Sequence, residues 1–334
     1  MHQRTRTRRF FGAGNFVVAL GLLAATSLAS GQANRLPRIG WIISGTAEGS
    51  RPLVEAMRAG LADEGVIDGR GVVLDIRYLD GRTDRYAEVF ADITRNPVDL
   101  LSAAGPMGIP AARDASAGRI PVSGYFCGTD VAQMVKSYAR PGGNVTGVSC
   151  FSAELAIKRI ELLKDAIPSL RRIGFLYDPR NPGKDKELAE VREAAGKLGM
   201  TVATATVSAA EEFRAAIGSL RRDRAEAIVT SEDPFTYAHR AQIVALAAEH
   251  QMPDIAAGRE FPAAGGVLSY GSSNIDGFRQ FGRYAARIIR GTKPADLPVW
   301  QPTRFEFVVN QKAARALGIS IPKSVLMRAD EVIE

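Results

Sequence analysis

Short apolar runs alternate with amphipathic stretches along most of this chain of 334 residues, and the alternation begins twice. RIGWIIS at 38–44 opens the first series and RRIGFLYDP at 171–179 opens the second. In each series a helix, a glycine stop, a strand, a helix and a further strand follow. Because strand–helix alternation builds parallel sheets with right-handed crossovers, the sequence predicts an α/β protein with two Rossmann-like lobes joined by a hinge.

The spacing of apolar residues and the helix stop signals place individual elements. Helices are predicted over 52–65 and 83–97, and a further helix is predicted for DVAQMVKSYARPGG at 130–143. Near the end of the chain, TRFEFVVN at 303–310 reads as the last strand, and a short helix after it closes the chain.

The first 33 residues have the pattern of a secretory signal peptide. Arginines without an acidic neighbour precede an uncharged apolar run from Phe16 to Ala29, which is shorter than the ~20 residues that a membrane-spanning helix needs. TRRFF at 7–11 also fits a twin-arginine export signal, with ordinary Sec export as the alternative. We expect cleavage near Ala33 and a periplasmic mature protein.

Charge and motif content exclude several classes of function. The chain has 43 Lys and Arg against 36 Asp and Glu, and removing the four arginines of the first 33 residues lowers the net charge from +7 to +3. Without a long basic run, no nucleic-acid partner is expected. The chain has 3 histidines and no nucleophile, zinc-protease, P-loop or dinucleotide-binding motif. We therefore predict no catalytic residues, no metal and no cofactor.

Two cysteines, Cys127 and Cys150, follow the predicted signal peptide. An exported protein reaches an oxidising compartment, where a disulfide can form. Neither cysteine has a histidine nearby in the sequence. We expect two buried free thiols, with a disulfide as the alternative.

Open parallel sheets bind ligands beyond the carboxyl ends of their strands, and two lobes with facing strand ends form a cleft that a hinge can close. Small and hydroxyl residues there suit a carboxylate, acidic residues suit an ammonium, and rings suit an apolar side chain, so an amino acid would fit. The alternative role for Ser and Asp is helix capping. The predicted ligand-binding residues are Ser44, Gly45, Thr46, Gly105, Thr129, Asp130, Tyr177, Asp233 and Tyr270.

Two further aromatic residues, Trp41 and Phe126, lie inside predicted strands. Although either ring could contact a ligand, a position within a strand favours the core, where we expect both.

Several stretches closely resemble the ABC-transporter substrate-binding proteins of the tryptophan/tyrosine type. The resemblance runs from Arg38 to Glu334 and implies a two-lobed periplasmic binding protein fold of type I. It also implies delivery of a small solute to a membrane permease and its ATPase. The stretches are RPGGNVTGVS at 140–149, AIKRIELLKDAIPSLRRIGFLYDPRNP at 156–182, FPAAGGVLSYGSS at 261–273, RIIRGTKPADLPVWQPTRFEFVVN at 287–310 and ALGISIPKSVLMRADEVIE at 316–334.

The resemblance further implies how the chain divides between the lobes. Lobe 1 would comprise 38–149 and 272–301, and lobe 2 would comprise 150–271 and 302–334. The ligand-side loops of the family match Ser44-Gly45, Ala104-Gly105 and Tyr270-Gly271 here. One position departs from the family: Gly128 stands where members often have the Asp of DPV, and Asp130 is the nearest acidic residue.

We therefore expect a monomeric, non-enzymatic solute receptor of an ABC importer. Its solute would be small, such as an amino acid, and some members of the family bind aromatic ones. Two alternatives remain open: a ligand-sensing module of a signalling system, and an α/β enzyme that uses the acidic strand ends. The scarcity of histidine makes the enzyme the weaker alternative.

Overall fold

The structure is a computed structural model that describes residues 35–127, 131–181 and 183–334. The predicted signal peptide, residues 1–33, lies outside the described residues, as do the predicted site residues Thr129 and Asp130. Pro37–Glu334 form one compact unit, which contains both sheets.

Lobe 1 is built on a five-stranded parallel sheet. Its strands are β1 (Arg38–Ile43), β2 (Val73–Tyr78), β3 (Leu100–Ala104), β4 (Val122–Phe126) and β5 (Val145–Ser149). They lie in the order β2–β1–β3–β4–β5. The first three strands are followed by α1 (Ala47–Asp63), α2 (Tyr86–Ile93) and α3 (Gly105–Ser116).

Lobe 2 is built on a seven-stranded sheet. Its strands are β6 (Arg172–Tyr177), β7 (Thr201–Thr206), β8 (Ala227–Thr230), β9 (Asp254–Ala256), β10 (Leu268–Gly271), β11 (Glu306–Asn310) and β12 (Glu331–Ile333). The order is β12–β11–β10–β9–β8–β6–β7. The helices after residue 150 are α4 (Ser152–Ala166), α5 (Lys184–Lys197), α6 (Phe213–Arg222), α7 (Pro234–Ala238), α8 (Arg240–Glu249), α9 (Glu260–Ala263), α10 (Asn274–Ile289), α11 (Gln311–Ala316) and α12 (Lys323–Leu326).

The repeated RIG stretch marks the same structural position in both lobes. The order β7–β6–β8–β9–β10 repeats β2–β1–β3–β4–β5, with β6 in the place of β1. A Cβ built at Gly40 of β1 would lie 2.5 Å from Ile93 Cγ2, and one at Gly174 of β6 would lie 2.8 Å from Leu220 Cδ1. Each first strand therefore needs glycine where a helix of its own lobe packs closely against it. The predicted duplication of the lobe topology is confirmed.

The chain returns to lobe 1 after β10, because α10 packs along α1. Asp63 at the end of α1 accepts hydrogen bonds from Arg279 and Arg283 of α10, at 2.7 and 2.9 Å. The chain then crosses back as β11, which pairs with β10 in antiparallel fashion. The expectation of wholly parallel sheets is therefore wrong for this one pair, because β11 enters lobe 2 from the opposite end.

Apolar cores lie on both faces of each sheet, which gives each lobe three layers. In lobe 1, Trp41, Met57 and Phe281 pack in the core beneath α1 and α10. Phe90 and Phe126 pack in the core beneath α2 and α3, where both are at most 2% exposed. The predicted core position of Phe126 is confirmed.

The predicted helix at 130–143 is wrong over its described part. Only Val131–Gln133 form a helical turn, of the 3₁₀ type. Ser137 Oγ accepts a hydrogen bond from Arg140 N over 3.0 Å, a local turn that competes with helix formation. The carbonyl of Tyr138 accepts from Val299 N over 2.7 Å, so the backbone finds its partner in a distant segment.

The expectation of two free thiols is also wrong, because Cys127 and Cys150 form a disulfide. Phe126 at the end of β4 pairs with Ser149 at the end of β5, so the next residue of each strand lies beside the other. The two Cα atoms are 5.4 Å apart, within the usual range for a disulfide. Strand pairing, which brings these residues together, cannot be read from their separation in the sequence.

Candidate functional site

The end of β1 delivers polar residues to a cavity between the lobes. Ser44 and Gly45 follow β1 and line this cavity, and Ala104 at the end of β3 lines it too. Carboxyl ends of parallel strands meet at one edge of a sheet, which explains why these residues converge. Thr46 caps α1: its hydroxyl accepts a hydrogen bond from Gly49 N over 3.1 Å.

The cavity has an empty volume of ≈ 780 Å³, part of which opens to solvent. Its far side is formed by lobe 2, through the loop after β8 and the short helix α7. The lobes touch beside it, since a Cβ built at Gly105 would lie 2.9 Å from Pro234 Cγ. Because residues of both lobes line this space, a small organic solute held there would contact both lobes.

Lobe 1 contributes an aromatic wall, formed by Trp41 of β1, Tyr125 of β4 and Phe278 of α10. The ring centroids of Tyr125 and Phe278 are 4.4 Å apart with an interplanar angle of 21°. The centroids of Trp41 and Phe278 are 5.9 Å apart. All three residues are buried, so their rings are held by the core and present a fixed apolar surface to the cavity.

Lobe 2 contributes an acidic wall, formed by Glu232 and Asp233 after β8. Arg159 of α4 donates to Glu232 Oε2 over 2.8 Å, and the arginine side chain is 1% exposed. Asp233 accepts from Phe235 N and from Asn181 Nδ2, both at 2.8 Å. Burial raises the pKa of both carboxyl groups above their usual range, against the opposing attraction of nearby cations.

A second buried ion pair supports the acidic wall from behind. Lys184 Nζ donates to Glu187 Oε2 over 2.5 Å and to the carbonyl oxygen of Glu232 over 2.8 Å. The side chains of Lys184 and Glu187 are 1% and 3% exposed. Because these bonds hold the backbone as well as side chains, the loop after β8 has a fixed position.

A smaller cavity of ≈ 280 Å³ adjoins the larger one and shares Ser44, Ala104, Asp233 and Pro234 with it. The first turn of α3 lines this smaller cavity, and no side chain caps that helix. The free N–H groups of an uncapped helix start favour an anionic group. Among the residues that line either cavity in the described parts of the chain, none is Lys, Arg or His.

Residues 41–333 match the family whose description is ABC transporter substrate binding protein. The chain belongs to this family. The description of the family names substrate binding for an ABC transporter rather than catalysis.

A tyrosine-binding protein of Clostridioides difficile (strain R20291) is 24% identical over 261 residues, which cover 78% of this chain and 74% of that protein. A domain from Streptococcus pneumonia, crystallised in complex with L-Trp, is 27% identical with a TM-score of 0.80, covering 90% of this chain and 100% of that one. A conserved domain protein from Vibrio cholerae has 22% identity and a TM-score of 0.81, covering 89% and 100%. The predicted two-lobed, type I periplasmic binding protein fold is confirmed.

In this substrate-binding protein, some of the predicted site residues line the two cavities and others lie outside the lining. Ser44, Gly45 and Asp233 line the larger cavity, and Gly105 lines the smaller one. Thr46 is next to the cavity lining but serves as the cap of α1.

Two of the predicted aromatic residues lie elsewhere. Tyr177 packs on the core of lobe 2, with its ring centroid 5.5 Å from that of Phe175. Tyr270 packs on the same core, 6.3 Å from the ring of Phe305, and its carbonyl accepts from Arg159 over 2.8 Å. Neither tyrosine belongs to the lining of the two cavities.

Residues missed by sequence reasoning complete the larger cavity: Tyr125, Tyr237, Asn274 and Phe278. Trp41, which we expected in the core, both packs there and lines the cavity. Tyr125 lies within a strand, and Phe278 lies one turn inside a helix that follows a strand of lobe 2. Only the return of α10 to lobe 1 brings that phenylalanine to the cavity, and local sequence carries no signal of that return.

One group of residues in the described part of the chain has the spacing of a metal site, namely Cys127, Cys150 and Glu232. Both sulfurs belong to the disulfide, so neither is available as a thiolate ligand. Within the described residues, every helix is too short or too polar to traverse a bilayer.

Proposed function

We propose that this protein is the exported solute receptor of an ABC importer and that its solute is an aromatic amino acid. The two lobes would close on the solute, and the closed form would deliver it to a membrane permease and its ATPase. The observation that carries the proposal is a single cavity in which the aromatic wall of lobe 1 faces the acidic wall of lobe 2.

The aromatic wall supports binding of a ring. Tyr125 and Phe278 are already stacked, and the parts of their rings that line the cavity offer a third ring offset-stacked or edge-on contacts. Such contacts contribute about 0.5–1.5 kcal/mol beyond the burial of apolar area. Rings that are fixed by the core lose little conformational freedom when a ligand binds.

The polar residues support the two charged groups of an amino acid. An ammonium fits the acidic wall, where Asp233 stands between the larger and smaller cavities. With no cationic side chain among the described residues of the lining, a carboxylate would be held by neutral donors. Those donors are the Ser44 hydroxyl and the N–H groups at Gly45 and at Gly105, the first residue of α3. Thr46 would support this loop as the cap of α1.

The relatives favour the same solute class. One relative is described as a tyrosine-binding protein and another was crystallised with L-Trp. Thr129 and Asp130 stay predictions for this site, because they lie outside the described residues. Tyr177 and Tyr270 are left out of the proposed site because they pack on the core of lobe 2.

The test is a binding screen on the purified mature protein, read by melting temperature and by calorimetry. L-Tryptophan, L-tyrosine and L-phenylalanine are compared with tryptamine, which lacks the carboxylate, and with indole-3-propionate, which lacks the ammonium. Aromatic amino acids should raise the melting temperature, because a ligand at 100 times its Kd stabilises the folded state by about 2.7 kcal/mol. Each partial ligand should bind at least about tenfold more weakly.

The proposal fails if a sugar, an organic acid or an aliphatic amino acid raises the melting temperature while all three aromatic amino acids leave it unchanged. Mass spectrometry of small molecules released from protein purified under mild conditions gives an independent answer, because it identifies whatever the cavity holds.

We also propose that residues 1–33 direct export and are removed, that the mature protein is a periplasmic monomer, and that it serves uptake. N-terminal sequencing of the exported protein should find its first residue near Asn34. Cells that lack the protein should take up the labelled solute more slowly, and unchanged uptake would argue for a sensing role instead.

A further inference from the structure

Glu260 opens α9 on the lobe 2 side of the larger cavity, apart from the acidic wall. Its Oε2 atom is buried and has no hydrogen-bond partner in the described part of the chain. A buried carboxylate oxygen without a donor is destabilising, so a group that supplies one is favoured at this position.

The carboxylate of Glu260 lies beside Gly258. A Cβ built at Gly258 would collide with Glu260 Oε2, and it would lie 3.1 Å from Asn274 Nδ2. Both Gly258 and Asn274 line the larger cavity. The amide of Asn274 therefore stands at the cavity wall. The carboxylate of Glu260 lies beside Gly258, just behind that wall, in the space that a larger residue at 258 would fill.

Two tyrosine hydroxyls lie in the same region. Tyr237 lines the cavity, and burial together with the nearby carboxylate of Glu260 raises the pKa of its hydroxyl. Tyr125 of the aromatic wall donates to Asn274 Oδ1 over 3.4 Å. Tyr125, Tyr237 and Asn274 line the cavity, and Glu260 lies next to this lining. We call these four residues the polar end of the cavity.

The polar end differs from the place proposed for the charged groups of the solute. Ser44 and Asp233 line both cavities and lie beside the uncapped start of α3. The polar end instead adjoins the rings of Tyr125 and Phe278, which are stacked on each other. A solute whose ammonium and carboxylate lie near Asp233 would direct its ring toward Glu260.

We propose that Glu260 is a specificity residue that accepts a hydrogen bond from an N–H or O–H donor on the ring of the solute, a role that rests on the proposed function. Glu260 thereby favours indole and phenol rings over a plain phenyl ring. A site built to bond a donor discriminates strongly against an analogue that lacks it, because the buried acceptor stays unpaired.

The test compares L-tryptophan with 3-benzothienyl-L-alanine, in which sulfur replaces the ring N–H at nearly the same shape. Calorimetry on the wild-type protein should show tryptophan binding at least about tenfold more tightly. L-Tyrosine should likewise bind more tightly than L-phenylalanine, because only tyrosine has a ring O–H donor. These comparisons need no substitution, so they hold even if a variant fails to fold.

Two substitutions then assign the discrimination to a residue. Glu260→Leu and the milder Glu260→Gln should weaken tryptophan binding and leave benzothienylalanine within about threefold of its wild-type Kd, so the preference falls below about threefold. Glu232→Gln is the contrasting variant. It alters the acidic wall and should weaken both ligands by the same factor.

Equal wild-type affinity for tryptophan and benzothienylalanine would overturn the role of Glu260 while leaving the proposed function intact. Equal weakening of both ligands in the Glu260 variants would also overturn it, since that result would place the ammonium at Glu260. Failure of every aromatic amino acid to bind would overturn the proposed function itself.

Discussion

The two lobes share one topology but bury different polar groups. In the described part of lobe 1 every buried non-aromatic polar side chain is a hydroxyl, as in Ser102, Ser123 and Thr146. Lobe 2 also buries ionisable side chains. These are Arg159, Asp178, Lys184, Glu187, Asp233 and Asp254.

This difference shows that one fold can divide the recognition of a solute between its halves. Lobe 1 offers rings and hydroxyls, which define shape at little electrostatic cost. Lobe 2 must keep carboxylates near the cavity, and burying a charge is unfavourable unless it is paired. Arg159 and Lys184 supply that pairing from behind the cavity. Lobe 2 should therefore be the half whose stability depends on intact ion pairs and on pH.

The largest expected effect comes from breaking an ion pair of lobe 2. Arg159→Met would leave the buried carboxylate of Glu232 without its cation, and we expect a loss of about 3–5 kcal/mol in the free energy of unfolding, measured by urea denaturation. Lys197→Met is the matched control, because it breaks an exposed pair with Glu193. That control should change stability by no more than about 0.5 kcal/mol. Since both pairs belong to lobe 2, equal effects would show that the buried pair contributes no more stability than an exposed one.

The next effect is a pH dependence that originates in lobe 2. Burial raises the pKa of Asp254 to about 7, from a usual 3.8 in the unfolded chain. The folded state therefore holds a proton that the unfolded state has lost between pH 4 and pH 7. The contribution of Asp254 to the free energy of unfolding should be fully present below pH 4, fall through that range by at most about 4 kcal/mol, and then level off.

Asp254→Asn should remove most of that decline, as measured by urea denaturation from pH 4 to pH 8. Burial also raises the pKa values of Glu232 and Asp233, so a smaller decline of the same sign should remain. Ser123→Ala in lobe 1 should keep the full wild-type dependence. An Asp254→Asn variant with an unchanged profile would show that this carboxyl does not titrate in that range.

A smaller effect concerns the aromatic wall. Phe278→Leu keeps an apolar side chain but loses the stack on Tyr125, which should lower stability by about 1 kcal/mol and weaken binding of aromatic amino acids by about fivefold. Phe175→Leu is the control, since Phe175 stacks on Tyr177 in the core of lobe 2, away from both cavities. The Phe175→Leu variant should lose a similar amount of stability, while its affinity for aromatic amino acids, measured by calorimetry, should stay unchanged. If both variants lost affinity equally, the stack of Phe278 on Tyr125 would affect binding only through the stability of the fold.

The smallest effect is expected from the unpartnered hydroxyls. Ser123 Oγ in lobe 1 and Ser269 Oγ in lobe 2 are both buried without a hydrogen-bond partner in the described residues. Replacing either serine by alanine removes a buried polar group and should stabilise the protein by up to about 1 kcal/mol in thermal unfolding. A clear loss of stability in either variant would indicate a bound water as the missing partner.

Sequence reasoning predicted the fold well because alternation and helix stops are local signals. The repeated RIG located the first strand of each lobe. In each strand the glycine leaves room for a helix side chain of the same lobe, so the signal is local. Strand β12 was missed because a strand of three residues has no periodicity to detect. The antiparallel β11 and the disulfide were missed because they depend on which segments become neighbours in space.

The site was predicted only in part, for a related physical reason. The rule for strand ends found Ser44, Gly45 and Asp233, whose position follows from the direction of their strands. The same rule selected Tyr177 and Tyr270, but side chains alternate across a strand, and these two pack on the core of lobe 2. The rule could not select a helix residue such as Phe278.

Helix α10 lies beside α1 but is translated after ten of the twelve strands. A growing polypeptide that has reached Ser149 contains the whole sheet of lobe 1, yet Met57 and Leu61 still lack the partners they have in the finished core. Those partners, including Phe281, emerge from the ribosome only after most of lobe 2 has been made. Synthesis of the N-terminal half alone therefore leaves an apolar surface open to water, and a premature stop before α10 would yield an aggregation-prone fragment rather than a free-standing lobe.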